Sequence, residues 1–131
     1  MTNNLLIVNR DIILEPGAGG IDQSFNNIPD DKYALIELFS FKFKEHANSQ
    51  DQAEPIILWA YPAQKGPPRT KTVFFPLNNL SSASNICADT YSLNFRLEPG
   101  DAWGISLYRS NPATASELSV YISGYYYTHR H

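Results

Sequence analysis

His129 and His131 stand two residues apart, a spacing that puts two imidazoles on one side of an extended strand. Two such rings can begin a metal site, but zinc chemistry generally takes three or more protein ligands. The third histidine, His46, is far away in sequence and no cysteine adjoins the pair. No metal and no cofactor is therefore expected. Cys87 is the single cysteine, so no intramolecular disulfide can form. A nucleophilic thiol needs a neighbouring base, and none adjoins it, so Cys87 reads as a small buried apolar group.

Among the acids, Glu37 lies in an apolar stretch and shares the parity of Phe39 and Phe41, which places it inward. Glycoside hydrolysis needs two carboxylates across a cleft, and no partner stands in a comparable place. A carboxylate paired with Lys or Arg at a sheet end or interface is the simpler reading. Glu98 and Asp101 flank a turn, where a calcium site competes with two solvated turn residues, and the second is expected. Neither a Gly-x-Ser-x-Gly elbow nor a glycine-rich loop opening a helix occurs. An enzyme is not expected.

Binding is the stronger prospect. Trp59 and Tyr61 end a short apolar run and offer stacking faces, while Asp51, Asn78 and Asn79 lie in long polar loops with groups suited to sugar hydroxyls. Strand parity alone could equally bury Trp59. Near the end of the chain, Leu118, Val120 and Ile122 alternate with Tyr121, and Tyr125 and Tyr127 continue the tyrosine side. Tyrosine joins a large apolar area to a polar tip. Such a row serves an oligomer interface, a sugar platform or a layer covered by the chain's own loops.

The elements that must position these residues are strands. LLIVNRDIIL (5–14), YALIELFSFKFK (33–44), PIILWAYP (55–62), RTKTVFFPL (69–77), TYSLNFRL (90–97), a strand after Asp101, and SELSVYISGYYYTHR (116–130) are the candidates. In 33–44, Phe39, Phe41 and Phe43 alternate with Ser40, Lys42 and Lys44, a period of two that gives one face to a core. The first half is apolar on both faces, with Ala34, Ile36 and Leu38 opposite Tyr33 and Leu35, so a second surface is expected to cover it. Tyr91, Leu93, Phe95 and Leu97 share one face, as do Trp103, Ile105 and Leu107. GAGG, 45–54 and 78–89 read as loops, and Pro76 marks a strand end or an edge.

Leu-Glu-Pro-Gly occurs twice, at 14–17 and 97–100. Proline presets φ for the second position of a turn and glycine accepts the positive φ of the third, so Pro99-Gly100 predicts a type II turn, while the first copy reads as the corner that ends 5–14. At the second copy Asp101 can accept a backbone N–H. No apolar spacing of three and four persists over a helical length. The expected fold is all-β: one antiparallel β-sandwich domain spanning 1–131, jelly-roll-like.

Composition narrows the partners. The chain has 131 residues, 43% hydrophobic and 18% charged, which suits one globular domain. A net charge of −3 with no Lys/Arg run disfavours nucleic acid. The amino terminus lacks the basic start of a secretory signal, and no run approaches the ~20 apolar residues of a membrane span. Soluble cytoplasmic synthesis without membrane insertion is expected, with a virion or extracellular particle as a possible destination.

The run L-E-P-G-D-A-W-G-I-S-L-Y (97–108), followed after a polar gap by V-Y-I-S-G-Y (120–125), resembles the last two strands of C1q/TNF-like jelly rolls. The early I-P-x-x-K-Y-A-L-I (28–36) is similar to small jelly-roll structural proteins of phages and viruses. The resemblance implies an oligomeric, non-catalytic sandwich. The expectation is a homo-oligomer, a trimer first, held by Tyr121, Tyr125, Tyr127 and Leu38 and acting as a virion- or particle-type structural or appendage subunit, with another particle protein as a further partner. The alternative is a lectin-like module that binds glycan through Trp59, Tyr61, Asn78, Asn79 and Asp51.

Overall fold

The computed structural model describes residues 4–45, 55–62, 70–77, 86–108 and 115–128. Within them lie eight strands and no helix: β1 (Leu5–Leu14), β2 (Gly20–Ser24), β3 (Tyr33–Glu45), β4 (Ile56–Tyr61), β5 (Lys71–Phe75), β6 (Ile86–Leu97), β7 (Ala102–Tyr108) and β8 (Ser116–Tyr127). β1 pairs with β8, β2 with β7, β3 with β6 and β4 with β5, all antiparallel. The chain is thus one long hairpin, four strands deep, with its tip between β4 and β5. Rolling it up sets β3 beside β8 and β4 beside β7. The result is two sheets, β1-β8-β3-β6 and β2-β7-β4-β5. This is the jelly-roll-like antiparallel sandwich that the alternation and turns predicted, with one strand more than the sequence offered.

Period-two alternation fills the space between the sheets. Phe39, Phe41 and Phe43 meet Ile56, Leu58, Trp103, Ile105 and Leu107 in one buried cluster. Phe39 stacks on Phe75 of the opposite sheet, centroids 4.2 Å apart and planes within 3°. Trp103 meets Phe25 edge-on at 4.8 Å and donates its indole N–H to the Asn26 carbonyl, so its one polar atom is satisfied. The open flanks are bridged by cations: the Arg10 guanidinium lies 5.9 Å from the Phe25 ring, and Lys71 donates to the Arg96 carbonyl at 2.9 Å.

The turn predicted at Pro99-Gly100 forms, and the first Leu-Glu-Pro-Gly copy takes the same geometry. Gly17 and Gly100 have φ of 94° and 81°, and Ala18 and Asp101 donate back to the carbonyls of Glu15 and Glu98. Asp101 is not a solvated turn residue, however. Its side chain is buried and accepts the Glu98 N–H at 2.8 Å. Ile28 docks on the same turn, accepting from Gly100 N–H and donating to the Asp101 carbonyl.

Three expectations need correction. β2 was not predicted, because Gly-Ile-Asp-Gln-Ser carries too little apolar alternation to read as a strand. β6 starts at Ile86, inside a segment expected to be loop, because pairing with Phe41 to Lys44 extends it. Glu37 does not point inward. A bulge between Ile36 and Leu38 makes Glu37 an extra residue against β8, so it is exposed and every later side chain changes face. Leu38 therefore sits opposite Phe39 rather than alongside Ala34 and Ile36.

Candidate functional site

The outward side of β2-β7-β4-β5 is set by registers that parity alone cannot supply. Asp22 lies opposite Ser106 of β7, and Ser106 opposite Ile57 of β4. One step along, Ser24 pairs with Gly104 and Gly104 with Trp59. A methyl group on Gly104 would stand 2.1 Å from the Gln23 carbonyl oxygen and 2.7 Å from Trp59 Cζ2. Only glycine leaves room there for the indole to lie across β7.

Trp59 is consequently half-buried rather than lost to the core. Its Nε1–H donates to Ser106 Oγ at 3.0 Å. The buried Ser106 hydroxyl in turn donates to Asp22 Oδ1, which also receives the Tyr108 hydroxyl at 2.8 Å. Tyr61, 52% exposed, lies beside Trp59 with centroids 5.1 Å apart and planes inclined by 54°. These side chains, with Thr72 of β5 and Thr70 just before it, line an open cleft of about 490 Å³.

The electrostatics follow from that chain of bonds. Hydrogen bonds from Ser106 and then Tyr108 hold the Asp22 carboxyl below its ordinary value. The same bond to Asp22 pushes the Tyr108 phenol up. Asp22 is thus fixed as an anion and acceptor beside two aromatic faces. Such a site can accept hydrogen bonds from hydroxyls at one end and stack an apolar ring face at the other.

Sequence reasoning named Trp59 and Tyr61, and the structure brings them together. It missed Asp22, Ser106 and Tyr108. Ser106 and Tyr108 do belong to the outward set of a strand that alternation identifies, but nothing local ties them to β4. Asp51, Asn78 and Asn79, together with the His129/His131 pair, lie outside the described residues. Cys87 is buried on β6, where burial and then the Asp89 charge push its thiol up.

The proposed interface residues gather on the other outward face, that of β1-β8-β3-β6. Tyr125 lies between Leu5 and Leu35, Ser123 between Ile7 and Leu38, and Tyr121 between Asn9 and Ser40. Tyr127 stacks on Tyr33 at 5.5 Å, and Arg96 covers the Tyr33 ring at 5.1 Å. Leu5 and Ile7 are 61% and 54% exposed. Lower on that face Asp11, Lys42, Lys44 and Glu117 mix opposite charges in a second depression of about 370 Å³, an ordinary solvated arrangement.

No protein-family profile and no curated protein matches the chain. Solved structures do resemble it. Dimeric latent PorU from Porphyromonas gingivalis aligns at 11% identity with a TM-score of 0.49, over 95% of this chain. The chain spans only 13% of PorU. The decameric BFDV capsid protein aligns at 9% identity and a TM-score of 0.44, over 96% of this chain and 97% of that one. TmCBM61, solved with β-1,4-galactotriose, aligns at 10% identity and a TM-score of 0.39, over 95% and 88%. Likenesses this distant carry no functional argument.

Proposed function

We propose that the protein is a non-enzymatic binding module that holds a carbohydrate in the Trp59 cleft. The observation that carries this reading is the bonded chain Trp59–Ser106–Asp22–Tyr108 with Tyr61 beside it. A stacking ring is locked in place by its own N–H, next to a charged acceptor already aimed by two donors. Sugars present an apolar C–H face and a rim of hydroxyls, and the cleft offers a counterpart to each. Asp22 is not suited to donate a proton to a leaving group. A general acid needs a raised pKa, and its carboxyl is held low. A glycan array with the wild-type chain should give hits that Trp59→Ala loses while its thermal transition is retained. An array without hits, or hits indifferent to Trp59→Ala, would refute the reading.

A second reading is supported by a different observation, the exposed Leu5, Ile7 and Tyr125 on the opposite sheet. An apolar patch with tyrosine at its centre suits self-association, and closed symmetry is its usual outcome. In this reading the chain is a structural or appendage subunit of a particle, assembled as a homo-oligomer with three copies expected. Light scattering should return that mass, and Ile7→Ser with Tyr125→Ser should reduce it to the monomer. A monomer at tens of micromolar in the wild type would overturn it.

A further inference from the structure

We infer that the cleft runs across all four strands as far as Phe74, and that its ligand is a single oligosaccharide chain of about three units. This rests on the carbohydrate reading above and adds the form of the ligand. Asp22, Ser106, Ile57 and Phe74 are successive register partners on β2, β7, β4 and β5. Ser24, Gly104, Trp59 and Thr72 form the adjacent row. With strands about 4.8 Å apart, four of them span roughly 14 Å, about the length of three linked pyranose rings.

The chemistry changes along that length. At the β2–β7 end, Asp22 accepts hydrogen bonds from hydroxyl groups. Trp59 follows as a stacking face across β7, with Tyr61 beside it, two residues further along β4. At the far edge, Phe74 is 57% exposed on β5, where a large apolar ring gains nothing from the core. A partner that covers Phe74 removes that surface from water. The order is therefore a polar station followed by two stacking stations, all outward on one sheet.

The angles decide between kinds of chain. Trp59 and Tyr61 are inclined by 54°, so one flat ring cannot lie on both. The flat face of a crystalline polysaccharide needs coplanar rings and does not fit.

The test uses soluble glucan, mannan, galactan and xylan oligomers from one to six units, with calorimetry on any series that binds. Affinity should rise at least tenfold from one unit to three and then level off. Phe74→Ala should cost several-fold for trimers and longer while leaving monomers and dimers unchanged. Asp22→Asn should weaken every length. Equal affinity for monomer and trimer, or a Phe74→Ala variant that binds trimers normally, would overturn the groove but leave carbohydrate binding standing. No binding by any series would remove both. Adsorption to crystalline cellulose equal to that of the soluble chain would refute a single-chain ligand.

Discussion

Replacing Ser106 with Ala removes one hydroxyl that serves two partners. Trp59 loses the acceptor of its indole N–H, and Asp22 loses a donor to its carboxylate. The neutral bond is worth about 1 kcal/mol net. A charge-assisted bond is worth about 1.5–3 kcal/mol when buried, and exposure of Asp22 reduces this to about 1. The sum is about 2 kcal/mol, since Ser106 itself is buried and alanine fills its place. In urea that loss moves the midpoint down by about 1 M for a domain of this size.

The Asp22 share has a pH signature. The folded carboxyl titrates below its ordinary 3.8. Its contribution is therefore complete above 3.8 and is lost as the pH falls through the lower folded value. Urea unfolding of wild type and Ser106→Ala at pH 7 should differ by the full amount, and at a pH below the folded value by about half. Carbon-13 titration of the Asp22 carboxyl should show its pKa rising toward 3.8 in the variant. A difference under about 0.5 kcal/mol at pH 7, or a carboxyl pKa unchanged by the substitution, would refute the bonded chain as described.

Three further outcomes are expected. Gly104→Ala should destabilise by about 1–3 kcal/mol in urea, because its methyl must displace the Gln23 backbone, and Trp59 fluorescence should shift as the ring is pushed outward. Phe39→Ala should cost about 3–5 kcal/mol by the same measurement, since it empties a stack between the sheets, whereas Phe74→Ala on the exposed edge should stay within about 0.5. Cys87 should react with an aromatic disulfide reagent at least about tenfold more slowly in the native chain than in urea, because burial and Asp89 disfavour its thiolate.

The exposed outer faces also explain why two readings coexist. Each sheet turns one face to the common core, so each has another free to carry function, and here the two differ in chemistry. Asp22 and Trp59 make one of them polar and aromatic. Leu5, Ile7 and Tyr125 make the other apolar, and the two faces can be tested by separate substitutions.

Local rules sufficed wherever the physics was local. Proline and glycine set both Leu-Glu-Pro-Gly turns, because φ at those two residues is intrinsic to them. Alternation placed Phe39, Phe41 and Phe43 inward, along with Trp103, Ile105 and Leu107, because successive side chains on a strand must point to opposite faces. Parity failed at Glu37, where one extra residue reversed it, and a bulge is a property of two paired strands that one strand's sequence does not display. β2 escaped notice for a related reason: its place is specified by hydrogen bonds to β7, not by its own composition. The cleft was least legible of all. Asp22 and Ser106 are 84 residues apart, and only the rolling of the long hairpin makes them neighbours. Trp59 and Tyr61 could be picked out by type, but whether Trp59 faced core or solvent depended on a missing side chain at Gly104, three strands later in sequence and adjacent only in the sheet. Residue chemistry is written in the sequence, whereas adjacency across strands exists only once register and topology are fixed.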